Sequence, residues 1–158
     1  SLVDKTSLII SSRETSTIIK LDNIYSNPTI DYMIGSDNFW QESGYDSLLL
    51  NKTSDFSMQA GQHCVTYVED NSLPRGQYYL YLYNNNLAVS TTHPDYDWKS
   101  DSNYSNAYYN LKKGTSYYYK YLVDENNRTV ELVSSIPVAY SGYVSSVQEL
   151  DGNVIILE

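Results

Sequence analysis

The sequence predicts an all-β fold built from antiparallel meanders, and three observations carry that reading. Short runs of β-branched, aliphatic and aromatic residues recur along the chain, each closed by Asn, Asp, Gly or Pro. No stretch offers a convincing 3.6-residue apolar period of the kind an amphipathic helix needs. Tyrosine occurs 18 times against 2 phenylalanines, and tyrosine suits half-buried strand faces, where the ring packs and the hydroxyl meets a partner or water.

In chain order, residues 6–12 and 16–22 read as two strands joined at Arg13-Glu14. That joint has hairpin length, yet Arg-Glu is not a favoured tight-turn pair, so a wider turn is expected. A third strand covers residues 29–34 and is closed by Gly35, completing a meander. Residues 36–60 form a long connection anchored only by Trp40 and Leu48-Leu49-Leu50; a loop of that length carries function or packs as a lid. Gly61-Gln62-His63 is a polar turn into a strand at residues 64–68, and residues 71–76 turn the chain into the next strand at 77–83. Residues 84–115 look like an extended insertion, which includes the second histidine, His93. Strands are expected at 116–123 and 129–134, and residues 143–150 and 154–157 close the chain as a hairpin around Asp151-Gly152.

An internal echo runs through these strands. The rhythm of residues 8–11, 18–22 and 29–32 parallels 79–82, 118–124 and 129–132 at an offset of about seventy residues, and 154–157 resembles the first strand of a third copy. Such repeats suit roughly two to three blades of a β-propeller, and a β-sandwich of the same strands fits almost as well.

With 158 residues the chain is a single all-β domain. A net charge of −9 argues against a nucleic-acid partner, because a basic surface is needed to displace phosphate counterions. No apolar run is long enough for a membrane span, and the first residues lack the basic start and apolar run of a signal peptide. The single cysteine, Cys64, excludes an internal disulfide and a cysteine-based zinc site. Asp95, Asp97 and Asp101 do not make a calcium loop, since Lys99 stands where an oxygen ligand is wanted, so no metal site is assigned.

The residue with chemical promise is His63, which can act as a neutral nucleophile or a cation near neutral pH. An isolated histidine is also an ordinary hydrogen-bonded structural residue. Arg13 reads as a surface arginine paired to Glu14 or Asp22, Gln62 as either orienting His63 or capping the turn, and His93 as a solvated loop residue. Asn84 and Asn85 sit at a strand end, where they commonly form turns. The tyrosines of 78–83 and 117–121 read as sheet packing; were they exposed, they would suit stacking on phenols or sugars.

Residues 9–22 with Ser12-Arg13, then Ile34-Gly35 with Trp40, Gln62-His63, Tyr83-Asn84-Asn85, 117–133 and 144–157 resemble, collinearly, the bacterial aryl-sulfate sulfotransferase family. The resemblance implies a six-bladed β-propeller that moves a sulfuryl group between phenols through a sulfohistidine, with no nucleotide donor and no cofactor. It implies His63 as nucleophile and Arg13 as the cation on the sulfate oxygens, with Gln62, Ser12, Thr15 and Asn84 in substrate-binding positions. It also implies phenols and aryl sulfates as partners and a secreted or periplasmic location. The family's His-x-Asn-Ser segment does not occur here. These residues are therefore expected to be a C-terminal-side fragment of a longer enzyme, inactive alone, whose open sheet edges invite a homodimer. A non-catalytic extracellular module that binds carbohydrate or protein through exposed tyrosines is the competing expectation.

Overall fold

The computed structural model describes residues 1–157. Strands β1 (Leu8–Ser12), β2 (Thr17–Asp22) and β3 (Thr29–Ile34) form an antiparallel sheet in the order β1-β2-β3. The joint between β1 and β2 spans residues 13–16, wider than two residues, and Ser16 takes a left-handed φ of 50° to close it. Next come one short helical turn, α1 (Asp37–Trp40), a 3₁₀ turn at Asp46–Leu48, and the two-residue strand β4 (Asn51–Lys52). This 36–60 connection is held to the first sheet: Trp40 Nε1 donates to Thr17 Oγ1 at 3.0 Å and the Leu50 amide to the Met33 carbonyl at 2.9 Å.

The second sheet contains β5 (His63–Val68), β6 (Gln77–Asn84), β7 (Ser116–Asp124) and β8 (Thr129–Val138). Its order is β4-β8-β7-β6-β5, antiparallel except for the β4–β8 pair. β8 runs past its expected end and contains Pro137, which lies opposite Tyr117 of β7 and beyond the two residues that pair with β4. A last hairpin, β9 (Ser146–Leu150) and β10 (Asn153–Leu157), turns through Asp151 (φ 49°) and Gly152 (φ 77°). These positive values are those of a type I′ turn, as the Asp-Gly pair predicts. β9 starts three residues later than expected because Val144 (φ 58°) and Ser145 (φ 76°) are left-handed and cannot join a strand. The protein is all-β, and among the described residues no helix is long and apolar enough to cross a membrane.

The core lies between the first two sheets and is unusually hydroxylated. Ile9, Ile18, Ile34, Leu80, Leu82 and Val130 pack with Tyr32 and Tyr121, all at or near zero exposure. Tyr78, Tyr81, Tyr83, Tyr118 and Tyr119 are buried too, so the tyrosine stripe is sheet packing and not an exposed platform. A buried hydroxyl needs a partner. Tyr32 and Tyr78 share a 2.5 Å bond, Tyr78 also donates to Glu125 at 2.7 Å, and Tyr121 donates to Gln59 Oε1 at 2.8 Å. Burial pushes the Tyr119 hydroxyl up to about 12, and it moves Tyr32, Tyr78 and Tyr121 higher still, so these groups stay protonated donors.

The residues expected as an extended insertion, between β6 and β7, fold onto α1. Asp101 is buried and accepts from Ser36 Oγ, Asn38 Nδ2 (2.9 Å), Tyr96 Oη (2.7 Å) and the Asn103 amide (2.9 Å), tying the segment to α1. Trp98 and Tyr104 are buried beside Phe39 and Tyr96 in an aromatic cluster. The segment packs as a folded cap, and its order comes from contacts distant in sequence.

Candidate functional site

β5, β6 and β7 all present one end to the same region: His63 opposes Tyr83, and Asn84 opposes Tyr117. The chain enters β5 through Gly61, whose φ of 62° favours glycine. A Cβ there would stand 2.7 Å from the Leu87 carbonyl oxygen and 3.7 Å from Arg13 Nε. The Gly61 amide donates to Ser16 Oγ at 3.0 Å, which brings the β1–β2 turn against the start of β5.

Gln62 reinforces that contact. Its Nε2 donates to Ser11 Oγ (3.2 Å), the Ser12 carbonyl (3.3 Å) and the Thr17 carbonyl (3.2 Å), while Ser11 Oγ donates back to the Gln62 carbonyl. Gln62 is completely buried. Its Nε2 reaches for the hairpin, and it makes no hydrogen bond to His63 among the described residues. Ser12 Oγ accepts from Thr15 Oγ1 at 2.8 Å within the turn, and both are half-buried.

His63 opens β5, and a bulge follows it: His63 pairs with Tyr83 but Thr66 with Tyr81, leaving one extra residue on β5. Cys64 sits in that bulge at φ 57°. A bulge beside a strand end re-aims side chains, and here it sets the direction of the half-buried imidazole. His63 Nδ1 lies 2.6 Å from Asn85 Oδ1. Among the described residues its Nε2 has no hydrogen-bond partner. The neighbouring Asn84, expected to face substrate, is wholly buried and accepts from the amides of Ala60 and Asn86, each at 2.9 Å. It shapes the turn instead, and the residue that reaches His63 is Asn85.

Arg13 Nη1 donates to Glu14 Oε1 at 2.5 Å and to the Val89 carbonyl at 3.0 Å. The pair with Glu14 expected of a surface arginine is present, but it is built into the fold. Glu14 Oε2 accepts from the Thr91 amide (2.6 Å), Thr91 Oγ1 (2.9 Å), Ser90 Oγ (3.0 Å) and the Thr92 amide (3.2 Å). Burial alone would raise the Glu14 carboxyl, but these bonds and the guanidinium outweigh it and hold the group at about 2. The Tyr143 ring lies 5.4 Å from the guanidinium carbon.

Arg13 and His63 thus share two sets of neighbours. Gly61 lies against Arg13 two residues before His63, and residues 141–144 touch Arg13 through Tyr143 and Asn85 through the Ser141 and Val144 carbonyls. Beside Val89 a cavity of about 340 Å³ opens between Tyr96, Trp98 and Tyr109. His93 is exposed; its amide donates to Ser90 Oγ at 3.0 Å, in the segment that binds Glu14, while its ring is bonded to Thr92 and edge-on to Phe39. Sequence reasoning missed Asn85 and the 141–144 segment, because their relation to His63 exists only once β6 and the approach to β9 are folded together.

An imidazole with one nitrogen held and the other open can attack an electrophile, and a fixed guanidinium nearby can hold an anion. No curated protein matches the chain. The family described as arylsulfotransferase (ASST) matches residues 3–158, nearly the whole length, and the chain therefore belongs to the arylsulfotransferase family.

Proposed function

We propose that these residues carry the nucleophile and the anion clamp of a nucleotide-independent aryl sulfotransferase. The observation that carries the reading is the arrangement at the entry of β5: His63 with Nδ1 engaged and Nε2 open, and Arg13 fixed against Gly61 two residues away. In the first half-reaction Nε2 attacks sulfur, the N–S bond forms, the S–O(aryl) bond breaks, and the phenolate leaves. In the second, the oxygen of an acceptor phenolate attacks sulfur, the N–S bond breaks, and neutral imidazole returns. Splitting the transfer in two gives ping-pong kinetics. Sulfuryl transfer, like phosphoryl transfer, concentrates charge on three equatorial oxygens, and preorganised positive charge stabilises it without reorganisation. Arg13 supplies that charge, because its bonds to Glu14 and Val89 fix the plane of the guanidinium. The aromatic walls beside Val89 suit a phenol ring.

The competing module with exposed tyrosines loses support, since six of the eight tyrosines in β6 and β7 are buried and the other two, Tyr79 and Tyr117, are half-buried. Three finer points belong to the same proposal. The sheets form blades of a propeller whose remaining blades supply further site histidines, because the family's His-x-Asn-Ser segment is absent from this sequence. The 158 residues alone transfer weakly or not at all, and pair through open sheet edges only when separated from those blades. The enzyme works outside the cytoplasm.

The test uses the longest natural chain containing these residues, mixed with 4-nitrophenyl sulfate. Nitrophenol release that depends on added phenol and vanishes in His63→Ala is the expected result. Phenol-independent release, or release unaffected by His63→Ala, overturns the assignment.

A further inference from the structure

Asn85 is completely buried, and its side chain has three partners on two segments, His63 at the start of β5 and the 141–144 segment. Its Nδ2 donates to the carbonyls of Ser141 (2.8 Å) and Val144 (2.9 Å), and its Oδ1 faces His63 Nδ1 at 2.6 Å. The two amide hydrogens have two carbonyl acceptors, so the orientation of the amide is decided: turning it over would place Oδ1 against two carbonyl oxygens and lose both bonds. The acceptors are themselves fixed. Val144 and Ser145 hold left-handed backbone conformations, which persist only where the surroundings over-determine them. Ser116 Oγ contributes, accepting from the Ser141 amide at 3.0 Å and donating to the Asn85 carbonyl at 3.1 Å.

An amide oxygen can only accept. His63 Nδ1 must therefore carry the proton, whether the ring is neutral or charged. We propose that Asn85 is a positioning residue that locks neutral His63 as its Nδ1–H tautomer and makes Nε2 the reacting nitrogen. The tautomer follows from the hydrogen bonds alone; its role in transfer rests on the sulfotransferase reading above.

The choice of a neutral amide has a chemical consequence. When Nε2 attacks sulfur and the aryl–oxygen bond breaks, the ring keeps its Nδ1 proton, because Asn85 cannot accept it. The intermediate is then a sulfated imidazolium, and attack by the acceptor oxygen expels a neutral imidazole, a good leaving group. A carboxylate at this position would share or take that proton and leave a poorer leaving group behind. Asn85 in this account never touches the sulfuryl group; it acts through His63.

The experiment is long-range ¹H–¹⁵N correlation of the imidazole nitrogens in this chain, with His93→Gln removing the second set of signals. Above the pH at which His63 becomes neutral, protonated Nδ1 and bare Nε2 are expected. A majority of Nε2–H overturns the proposal without any variant being needed and leaves the sulfotransferase reading standing. In Asn85→Ala the tautomer is expected to revert toward Nε2–H; an unchanged spectrum in a folded variant also overturns the assignment. In the active full-length enzyme the same substitution should lower kcat by roughly ten- to a hundredfold while KM for the aryl sulfate changes little. A rise in KM with kcat preserved would place Asn85 in substrate binding instead. Nδ1–H in the spectrum with no sulfuryl transfer in the enzyme would keep the tautomer and reject the transferase.

Discussion

The two ends of the second sheet solve the burial of polar groups in opposite ways. At the end where Gln77 opposes Asp124, Lys20, Asp31, Glu125 and Arg128 form a cluster of paired ions. Lys20 Nζ bonds Asp31 at 2.9 Å and Glu125 at 2.6 Å, and Arg128 bonds Asp31 at 3.2 Å and also reaches the carbonyls of Asp31 and Leu48. In the cavity of about 430 Å³ between Lys20, Tyr67, Tyr78 and Glu125, the Lys20 ammonium is therefore held by carboxylates. At the end where Asn84 opposes Tyr117, the buried groups are neutral: Gln62, Asn84, Asn85 and Ser116 are all completely enclosed. They hold backbone and orient one imidazole, whose second nitrogen is left open. A closed ionic network stabilises, whereas a neutral scaffold around an unsatisfied nucleophile is what a transfer reaction needs.

The sharpest way to break this contrast is to remove one central group from each end. His63→Ala should lower phenol-dependent transfer in the full-length enzyme by roughly 10³-fold or more, with a stability cost of about 1 kcal/mol for the partner that Asn85 Oδ1 loses, read by turnover and thermal melting. Lys20→Ala should do the reverse. It leaves Glu125 without its cation and Asp31 with Arg128 alone, and breaking a buried ion pair costs about 3 kcal/mol, read as a fall in the urea midpoint. Burial lowers the Lys20 pKa, but its bonds to Glu125 and Asp31 raise it more, to a net upward shift. A raised folded-state pKa contributes stability that is fully present below the unfolded value near 10.5 and is lost as pH climbs through the folded value. The wild type should therefore lose stability steeply in strong alkali, and Lys20→Met should lack that component.

How much of this was legible follows from where each residue finds its partners. β1, β2, β3, β6 and β7 are readable because runs such as Leu8-Ile9-Ile10 and Tyr78 to Tyr83 bury their own side chains against near neighbours. Asp151-Gly152 is readable because its turn type is a property of those two residues. β4 was not, since two residues become a strand only by lying beside β8. The cap over 84–115 was not either, since Asp101 is ordered by Ser36 and Asn38 more than sixty residues away. In the site, His63 and Arg13 stand out by residue type, whereas Asn85 looks identical to its two asparagine neighbours until its bonds are seen.

A smaller effect separates the neutral scaffold from the nucleophile it supports. Gly61→Ala adds a Cβ 2.7 Å from a backbone oxygen at a left-handed position. The substitution should cost about 2 kcal/mol and displace the Leu87 to Val89 backbone that receives Arg13. If the scaffold matters to chemistry, kcat falls along with the melting temperature. Full turnover in a destabilised Gly61→Ala would mean that Arg13 does not depend on that backbone for its role.

The smallest expected effect tests the one ion pair at the neutral end. Glu14 holds residues 90–92 and Arg13 together, with its carboxyl at about 2 against an ordinary value of 4.5. A depressed folded-state pKa contributes stability that is present above the ordinary value and is lost as pH falls toward the folded one. The amide signals of Thr91 and Thr92 should shift together in a transition centred at about pH 2, as protonation weakens the bonds they donate to Glu14. Glu14→Gln should abolish that inflection while costing less than about 1 kcal/mol, because the carboxyl is partly solvated and its pair with Arg13 is screened. With the pair removed, Arg13 keeps the Val89 carbonyl and the Tyr143 ring. Sulfuryl transfer should persist in the Gln variant with a raised KM for the aryl sulfate, the mark of a clamp that has lost part of its alignment and kept its charge.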